Sequence, residues 1–452
     1  MKNKNMKNKQ FLRRMLVLAL PIALQNLLSS CGYLVDTAMV VRLGNTATSA
    51  IGVAGRWSFL MNIAAFGVCS GSAVLIAQSW GAGDHRTIRR SAGLALAAVT
   101  GVSGIYILLG LLCPEGLMGV FTDEAAVIAA GADYLRIACF AALFSGIALV
   151  ISTAMRSTED VRTPFVASTA GVLLNILLNY LLIYGHMGLP RMELAGAALA
   201  TVLAMAAQMC ILLVLSRRKK SVFLREPAQL LAWDKAFVKK YIRVAAPVLC
   251  NEILWAVGTN IYSVILARQG SENYAAYTVY NSIHEIFFVF SVGLCSACAI
   301  MVGKTIGEGK NDLAYEMAKT NMEAITLMSV ALGAVQILLR YPILSLMHLE
   351  TQGAVETAAS LLVIHGLLMP VINLPYLAVV GIFRAGGDAA YGFFIDTFSV
   401  YFMGIPTLAC MAYLTKASFP AMVAGMFLGE YCLKTILCIL HFRSRKWIRN
   451  LM

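Results

Sequence analysis

Twelve long apolar segments constrain this chain more than any other feature of its sequence. Each is long enough for a helix to cross about 30 Å of hydrocarbon. Only helices satisfy their own backbone hydrogen bonds in lipid over such lengths. The pattern therefore predicts an all-α polytopic membrane protein, and the low charged fraction of 13% agrees. The segments lie at about 15–42, 48–78, 92–113, 127–155, 164–185, 194–215, 244–267, 274–303, 322–341, 356–383, 391–413 and 418–442.

The basic residues predict how the chain is oriented. The formal net charge is +13, and Lys and Arg cluster in residues 1–14, in residues 216–243 and near the end of the chain. This is the positive-inside pattern. It predicts a multi-pass protein of the plasma (inner) membrane with both termini in the cytoplasm. Anionic membrane lipid is then the expected partner of the basic clusters, and nucleic acid is not. The opposite loops contain Arg42, Arg191, Arg268, Arg340 and Lys416.

The two halves of the chain resemble each other. A shift of 226 positions superimposes Pro21 on Pro247 and Gly32 on Gly258. A second echo sets MRSTED (155–160) against FRAGGD (383–388). We expect six-helix lobes at 1–215 and 244–452, joined by a basic cytoplasmic linker at 216–243. Because six is an even number, both halves enter the membrane in the same direction, so a pseudo-twofold axis along the membrane normal should relate them.

Six stretches carry a resemblance to a known family. They are LVDTAMVVRLG (34–44), WGAGD (80–84), NILLNYLLIYGHMGLPRMELAGAALAT (175–201), APVLCNEILW (246–255), IGEGK (306–310) and FRAGGD (383–388). With these stretches the chain resembles the multidrug and toxic compound extrusion (MATE) transporters over essentially its whole length. The resemblance implies a V-shaped pair of lobes. It also implies efflux of mostly cationic, amphipathic compounds driven by proton or sodium influx.

The first half contains an acid where acids are costly. Asp36 interrupts an apolar segment, and an ionised carboxylate there costs several kcal/mol unless something compensates it. Asn175 and Asn179 are four residues apart and share a helix face, and Thr201 lies in the next segment. Together these groups could bind a proton or coordinate Na⁺, so we expect all four to take part in ion coupling. Some relatives have an aspartate where this chain has Asn179.

The second half has its own candidates. Glu252 follows Pro247 by five residues and resembles the second-lobe ion site of many family members, which implies a role in ion coupling and in substrate binding. Tyr280 and Glu285 in the eighth segment could attract an organic cation through a ring face and a carboxylate. Asn373, in the tenth segment, is the expected partner of Glu252 in substrate binding. An interhelical hydrogen-bonding role is the alternative for the polar residues of both halves.

With the family resemblance, these features predict a secondary-active multidrug exporter that acts as a monomer. The resemblance implies that it exchanges amphipathic cations for H⁺ or Na⁺ by alternating access. The alternative is a MATE-like flippase for a lipid-linked sugar or peptidoglycan precursor, which would need a cationic cavity around Arg56. The chain contains no HExxH or GxSxG motif, so we expect no enzyme. No cofactor or resident metal is expected, apart from transient Na⁺ at Asp36 or Glu252. Glu430 and Lys434 have the spacing of a structural ion pair.

Overall fold

The computed structural model describes residues 2–347, 349 and 351–452, with side chains from residue 11 onward. Within this range every regular element is helical. Twelve helices are long and apolar enough to cross a membrane, which confirms the predicted fold class. They are α1 (Phe11–Val41), α2 (Asn45–Ala82), α3 (His85–Leu112), α4 (Ala125–Ser157), α5 (Arg162–Tyr184), α6 (Glu193–Arg218), α7 (Lys235–Ala267), α8 (Ser271–Gly307), α9 (Asn311–Leu338), α10 (Gln352–Phe383), α11 (Ala389–Leu414) and α12 (Phe419–Ser444).

Several helices are longer than the apolar segments that predict them. Helix α7 begins at Lys235 and α9 at Asn311, whereas the sequence predicts spans from 244 and 322. Their first turns are polar, so hydropathy detects only the part of each helix that follows. Between α2 and α3 the chain turns at Gly83, which has a φ of 74°. Asp84 then caps α3 by accepting a hydrogen bond from the Thr87 backbone N–H at 3.0 Å.

The chain divides into two compact units, each described by itself. The amino-terminal unit is Leu24–Leu249. The carboxy-terminal unit combines Cys250–Met452 with the start of the chain through Ala23. The lobe boundaries at 215/216 and 243/244 stay a prediction.

Small residues let the helices of the amino-terminal unit approach closely. Helix α2 packs on α3 and α4, and α6 packs on α4 and α5. At Gly71 of α2, an added Cβ would lie 2.6 Å from the Cα of Ala245 in α7. Only glycine fits so close to another backbone. Such contacts are typical of membrane helix pairs, where close packing replaces the hydrophobic effect as the source of stability.

The predicted linker at 216–243 is ordered and lies within the amino-terminal unit. It contains two short 3₁₀ helices, Val222–Leu224 and Pro227–Leu230. The Phe223 side chain is buried in a hydrophobic cluster with residues of α2 to α6, and its 3₁₀ helix packs on α3. The Arg89 guanidinium of α3 donates a hydrogen bond to Gln229 Oε1 at 2.9 Å. This polar connection is therefore built into the fold rather than being a loose tether.

Two membrane helices of the carboxy-terminal unit change their hydrogen-bond pattern. Helix α10 becomes π-helical at Leu377–Phe383, and α11 at Ser399–Gly404. Pro375 has no N–H to give to the Val371 carbonyl, and the Thr435 hydroxyl of α12 donates to that oxygen instead, at 3.0 Å. Because π segments often mark functional sites, the residues around them are of interest.

Candidate functional site

The Asp36 carboxylate of α1 is held by two amides of α5. Asn179 Nδ2 donates to Asp36 Oδ1 across 2.6 Å. The Asn175 amide nitrogen lies 2.7 Å from Oδ1 and 2.9 Å from Oδ2, in the amide orientation that keeps its oxygen away from the carboxylate. The structure thus brings together three of the four first-half residues that the sequence singles out.

The spacing of the asparagines explains this arrangement. They lie one helical turn apart on α5, and both side chains are buried. Further along, the Tyr184 hydroxyl donates to the Met39 carbonyl of α1 at 3.0 Å. This hydrogen bond adds a second attachment between α5 and α1 next to the carboxylate, so the position of Asp36 relative to the two amides is set by backbone as well as side-chain contacts.

No positive charge neutralises Asp36 within the described part of the chain. It has no ion-pair partner there, and Arg42 lies beyond the end of α1 with an exposed side chain. The two amides favour the ionised carboxylate through hydrogen bonds, but they carry no net charge. The negative charge therefore stays uncompensated in a half-buried position. Such a group gains stability when it binds a proton or a cation.

The oxygens around Asp36 suit a small hard cation as well as a proton. Asn179 Oδ1 is buried and has no hydrogen-bond partner among the described residues. Carboxylate and amide oxygens are the ligands that hard cations prefer. The Thr201 hydroxyl donates instead to the Ala197 carbonyl of its own helix, at 3.0 Å. The part of Thr201 in ion coupling stays a prediction.

Glu252 of α7 is already paired with a buried base. Arg384, just after α10, places its Nη1 2.7 Å from Glu252 Oε1. The Arg384 side chain is 4% exposed and the Glu252 side chain is 15% exposed. The negative charge of Glu252 is therefore compensated in this structure, unlike that of Asp36. Its predicted role in ion coupling or substrate binding would require this pair to open.

A chain of polar contacts continues beside Glu252. Asn251 donates to Asp396 Oδ2 at 2.9 Å. Lys434 Nζ lies 2.5 Å from Asp396 Oδ1 and 3.6 Å from Glu430 Oε1. The Tyr262 hydroxyl donates to Glu430 Oε2 at 2.9 Å. The predicted Glu430–Lys434 pair is thus present, but Lys434 lies closer to Asp396, which the sequence analysis does not predict as a partner.

Arg384 and Asp396 are the two charged residues of this region that the sequence pattern does not predict as site residues. Asp396 carries the same signal as Asp36, because it interrupts the apolar stretch FFIDTFSV (393–400). In the sequence, Arg384 is only part of the FRAGGD turn. Its burial depends on how α10 packs, which the local sequence does not encode.

The predicted substrate-binding residues differ in how available they are. Tyr280 is 1% exposed, and its ring stacks with that of His284 at 6.0 Å. Asn373 is buried and donates to Ser329 Oγ at 2.9 Å, so its amide is engaged in a contact between α10 and α9. Glu285 is exposed, and among the described residues it has no hydrogen-bond or ion-pair partner. Of the three, Glu285 is the one free to attract a cation.

Comparison with known proteins shows which family the chain matches. The MatE family model matches residues 21–181 and again residues 247–410. The two matches begin 226 positions apart, the same shift that superimposes the two halves of the sequence.

Individual proteins match over nearly the whole chain. One is the probable multidrug resistance protein YoeA of Bacillus subtilis, 26% identical over 430 residues, covering 92% of this chain and 89% of that protein. Another is the probable multidrug resistance protein NorM of Thermotoga maritima, 24% identical over 443 residues, covering 96% and 93%. A crystal structure of a mutant of the Vibrio cholerae MATE transporter VcmN has a TM-score of 0.88 at 16% identity, covering 99% of both chains. At that identity the likeness shows the fold.

Proposed function

Because this chain belongs to the MatE family, we propose that it is a secondary-active multidrug exporter, which moves amphipathic organic cations out of the cell in exchange for H⁺ or Na⁺ by alternating access. Relatives that match over nearly the whole chain are described as probable multidrug resistance proteins. We place it in the plasma (inner) membrane as a monomer with both termini in the cytoplasm. We expect no enzymatic activity and no cofactor other than the coupling ion.

The observation that carries the proposal is the Asp36 carboxylate, which is held by two amides but by no base among the described residues. Binding of a proton or Na⁺ cancels its charge, and loss of the ion restores it. Of two conformations, the one that better solvates or compensates the ionised Asp36 carboxylate is then favoured only when no ion is bound. An ion gradient can drive transport in this way, since a ligand shifts a conformational equilibrium by its difference in affinity for the two states.

Attraction of organic cations is supported by Glu285. Its exposed carboxylate lies on α8, one turn from Phe288, whose ring packs 4.9 Å from that of Tyr376. A negative charge near ring faces is a combination that binds amphipathic cations. The alternative flippase would need a group of cations for a pyrophosphate. Arg56 is instead placed over the Phe121 ring, with 5.5 Å between the guanidinium carbon and the ring centroid.

The test is transport of ethidium by the purified protein in liposomes. Three conditions are compared: an imposed pH gradient, an imposed Na⁺ gradient, and neither. The proposal predicts ethidium accumulation against its own gradient under at least one of the two ion gradients, and none without them. Equal ethidium movement in all three conditions, or movement of a lipid-linked sugar in place of ethidium, would contradict it.

A further inference from the structure

The carboxy-terminal unit contains a cluster of five buried charged groups. Three are acids, Glu252, Asp396 and Glu430, and two are bases, Arg384 and Lys434. Their side chains are at most 15% exposed. With every group ionised, the three negative and two positive charges leave the cluster with one uncompensated negative charge. Because an uncompensated buried charge is unfavourable, the cluster has an affinity for one additional positive charge.

The distances show where this surplus lies. Arg384 and Glu252 form a close pair at 2.7 Å. Lys434 is shared unequally, at 2.5 Å from Asp396 and 3.6 Å from Glu430. Glu430 is therefore the acid with the weakest ionic contact. Its other oxygen accepts the hydrogen bond from Tyr262, which is neutral.

We propose that Glu430 is a proton-binding site of the carboxy-terminal unit, and that its protonation and deprotonation form a second ion-coupling step. The second part rests on the transport function proposed above. Binding converts the carboxylate to a carboxylic acid and leaves Lys434 paired with Asp396 alone. A proton fits here better than Na⁺, because the Lys434 ammonium already occupies the position between the two carboxylates that a metal ion would take.

The groups that interact with Glu430 come from four helices. Near neutral pH the tyrosines among them are uncharged, so the ionised neighbours are Lys434 and Asp396. Proton binding at Glu430 therefore depends mainly on these two charges. The set is Tyr262 of α7, Tyr277 of α8, Asp396 of α11, and Tyr431 and Lys434 of α12.

Protonation at Glu430 has a direct route to the backbone of α11. The Tyr262 hydroxyl lies 2.9 Å from Glu430 Oε2 and 3.5 Å from the Val400 carbonyl. Val400 belongs to the π-helical segment Ser399–Gly404. Once Glu430 is neutral it is a weaker acceptor, and the Tyr262 hydroxyl can favour the carbonyl instead. The charge on Glu430 therefore biases the contacts of a segment whose hydrogen bonding is already irregular.

The experiment is infrared difference spectroscopy of the purified protein in liposomes, comparing high with low pH to detect protonated buried carboxyl groups. The wild type should show a component that disappears in Glu430→Gln and remains in Asp36→Asn. Glu356→Gln, the same change at an exposed position of α10, should leave that component in place. A Glu430→Gln spectrum identical to that of the wild type would overturn the proposal.

A second variant covers the case in which Glu430→Gln does not fold. Tyr262→Phe keeps the ring packing but removes a hydrogen bond that favours the ionised carboxylate, so the Glu430 component should titrate at higher pH than in the wild type. An unchanged midpoint would contradict the proposal. Since this infrared measurement needs no transport, failure of the Glu430 site can be distinguished from failure of the proposed transport function. Titration of Glu430 without ethidium transport refutes the transport function, whereas coupled transport without the Glu430 component refutes this site.

Discussion

Asn179 donates a hydrogen bond to Asp36 across 2.6 Å and so joins α5 to α1. Among the described residues of the amino-terminal unit, Asp36 is the one acid that interrupts an apolar helix without a basic partner. A neutral amide holds the carboxylate in place without cancelling its charge. An arginine in this position would compensate the charge, as Arg384 does for Glu252 in this structure. The amide therefore leaves the negative charge of Asp36 uncompensated among the described residues, which is the property that the proposed ion coupling requires.

Placing a second carboxylate at this contact should change the ion dependence. In Asn179→Asp, two acids would lie within hydrogen-bond distance and could not both ionise readily, so one proton would be bound at higher pH than by Asp36 alone. The pH midpoint of ethidium transport in liposomes should rise. Asn62→Asp makes the same change at an exposed position of α2 and should leave the midpoint in place, and an equal shift in both variants would rule out a specific effect.

The Glu252–Arg384 pair should contribute to stability. Glu252→Gln leaves a buried arginine without its counterion, which costs about 3–5 kcal/mol, so the thermal unfolding midpoint in detergent should fall. Glu252→Gln combined with Arg384→Met should recover much of the loss. Glu115→Gln removes an exposed partner of Arg136, and surface pairs are worth about 0–1 kcal/mol. If Glu252→Gln costs no more than this control, the pair is not structural.

Gly404 is expected to be needed for the contact between Tyr262 and Glu430. A Cβ at Gly404 would collide with the Tyr262 hydroxyl, so Gly404→Ala should lower the unfolding midpoint. Gly101→Ala is the matched control in α3, because a Cβ there meets nothing within 4 Å. That change should raise the midpoint, since alanine favours a helix by about 1 kcal/mol over glycine. Equal effects of the two changes would show that Tyr262 can move away at no cost.

Asp160, in the loop between α4 and α5, predicts a pH-dependent contribution to stability. Partial burial acts to raise its pKa, but hydrogen bonds from Lys219 and Thr163 outweigh burial and hold the pKa below its usual range. A lowered pKa stabilises the fold above the unfolded value of about 3.9, and this contribution is lost as the pH falls through the folded value. The unfolding midpoint of Asp160→Asn should therefore lie below that of the wild type at neutral pH, and the gap should close in acid. A gap that is independent of pH would contradict the assignment.

The sequence predicts the membrane spans and the Asp36 network because both depend on local patterns. The length of an apolar segment identifies a membrane span even where the helix extends beyond that segment. Two asparagines four residues apart on a helix must share a face. The echo between MRSTED and FRAGGD also has a structural counterpart. Asp160 pairs with Lys219, which follows α6, at 2.9 Å, and Asp388 pairs with Arg449, which follows α12, at 3.0 Å. Equivalent acids thus bind bases after the last helix of each half.

The carboxy-terminal charge cluster could not be predicted in the same way. Glu252 meets Arg384, and Asp396 meets Lys434, only because α7, α10, α11 and α12 pack with particular rotations about their axes. The i, i+4 rule identified the Glu430–Lys434 contact but not the shorter one from Lys434 to Asp396. The spacing of residues along one helix does not predict which charged residue of another helix will lie closest to them.

The most direct test of the central claim is a comparison of two transport modes in Asp36→Asn. Liposomes containing the variant are assayed for ethidium exchange at equal concentrations and for ethidium accumulation driven by a pH or Na⁺ gradient. Asp133→Asn, an exposed acid of α4, is the control. If Asp36 couples the ion to transport, the variant keeps exchange and loses gradient-driven accumulation while the control keeps both. Accumulation by Asp36→Asn at the wild-type level under either gradient would contradict the account.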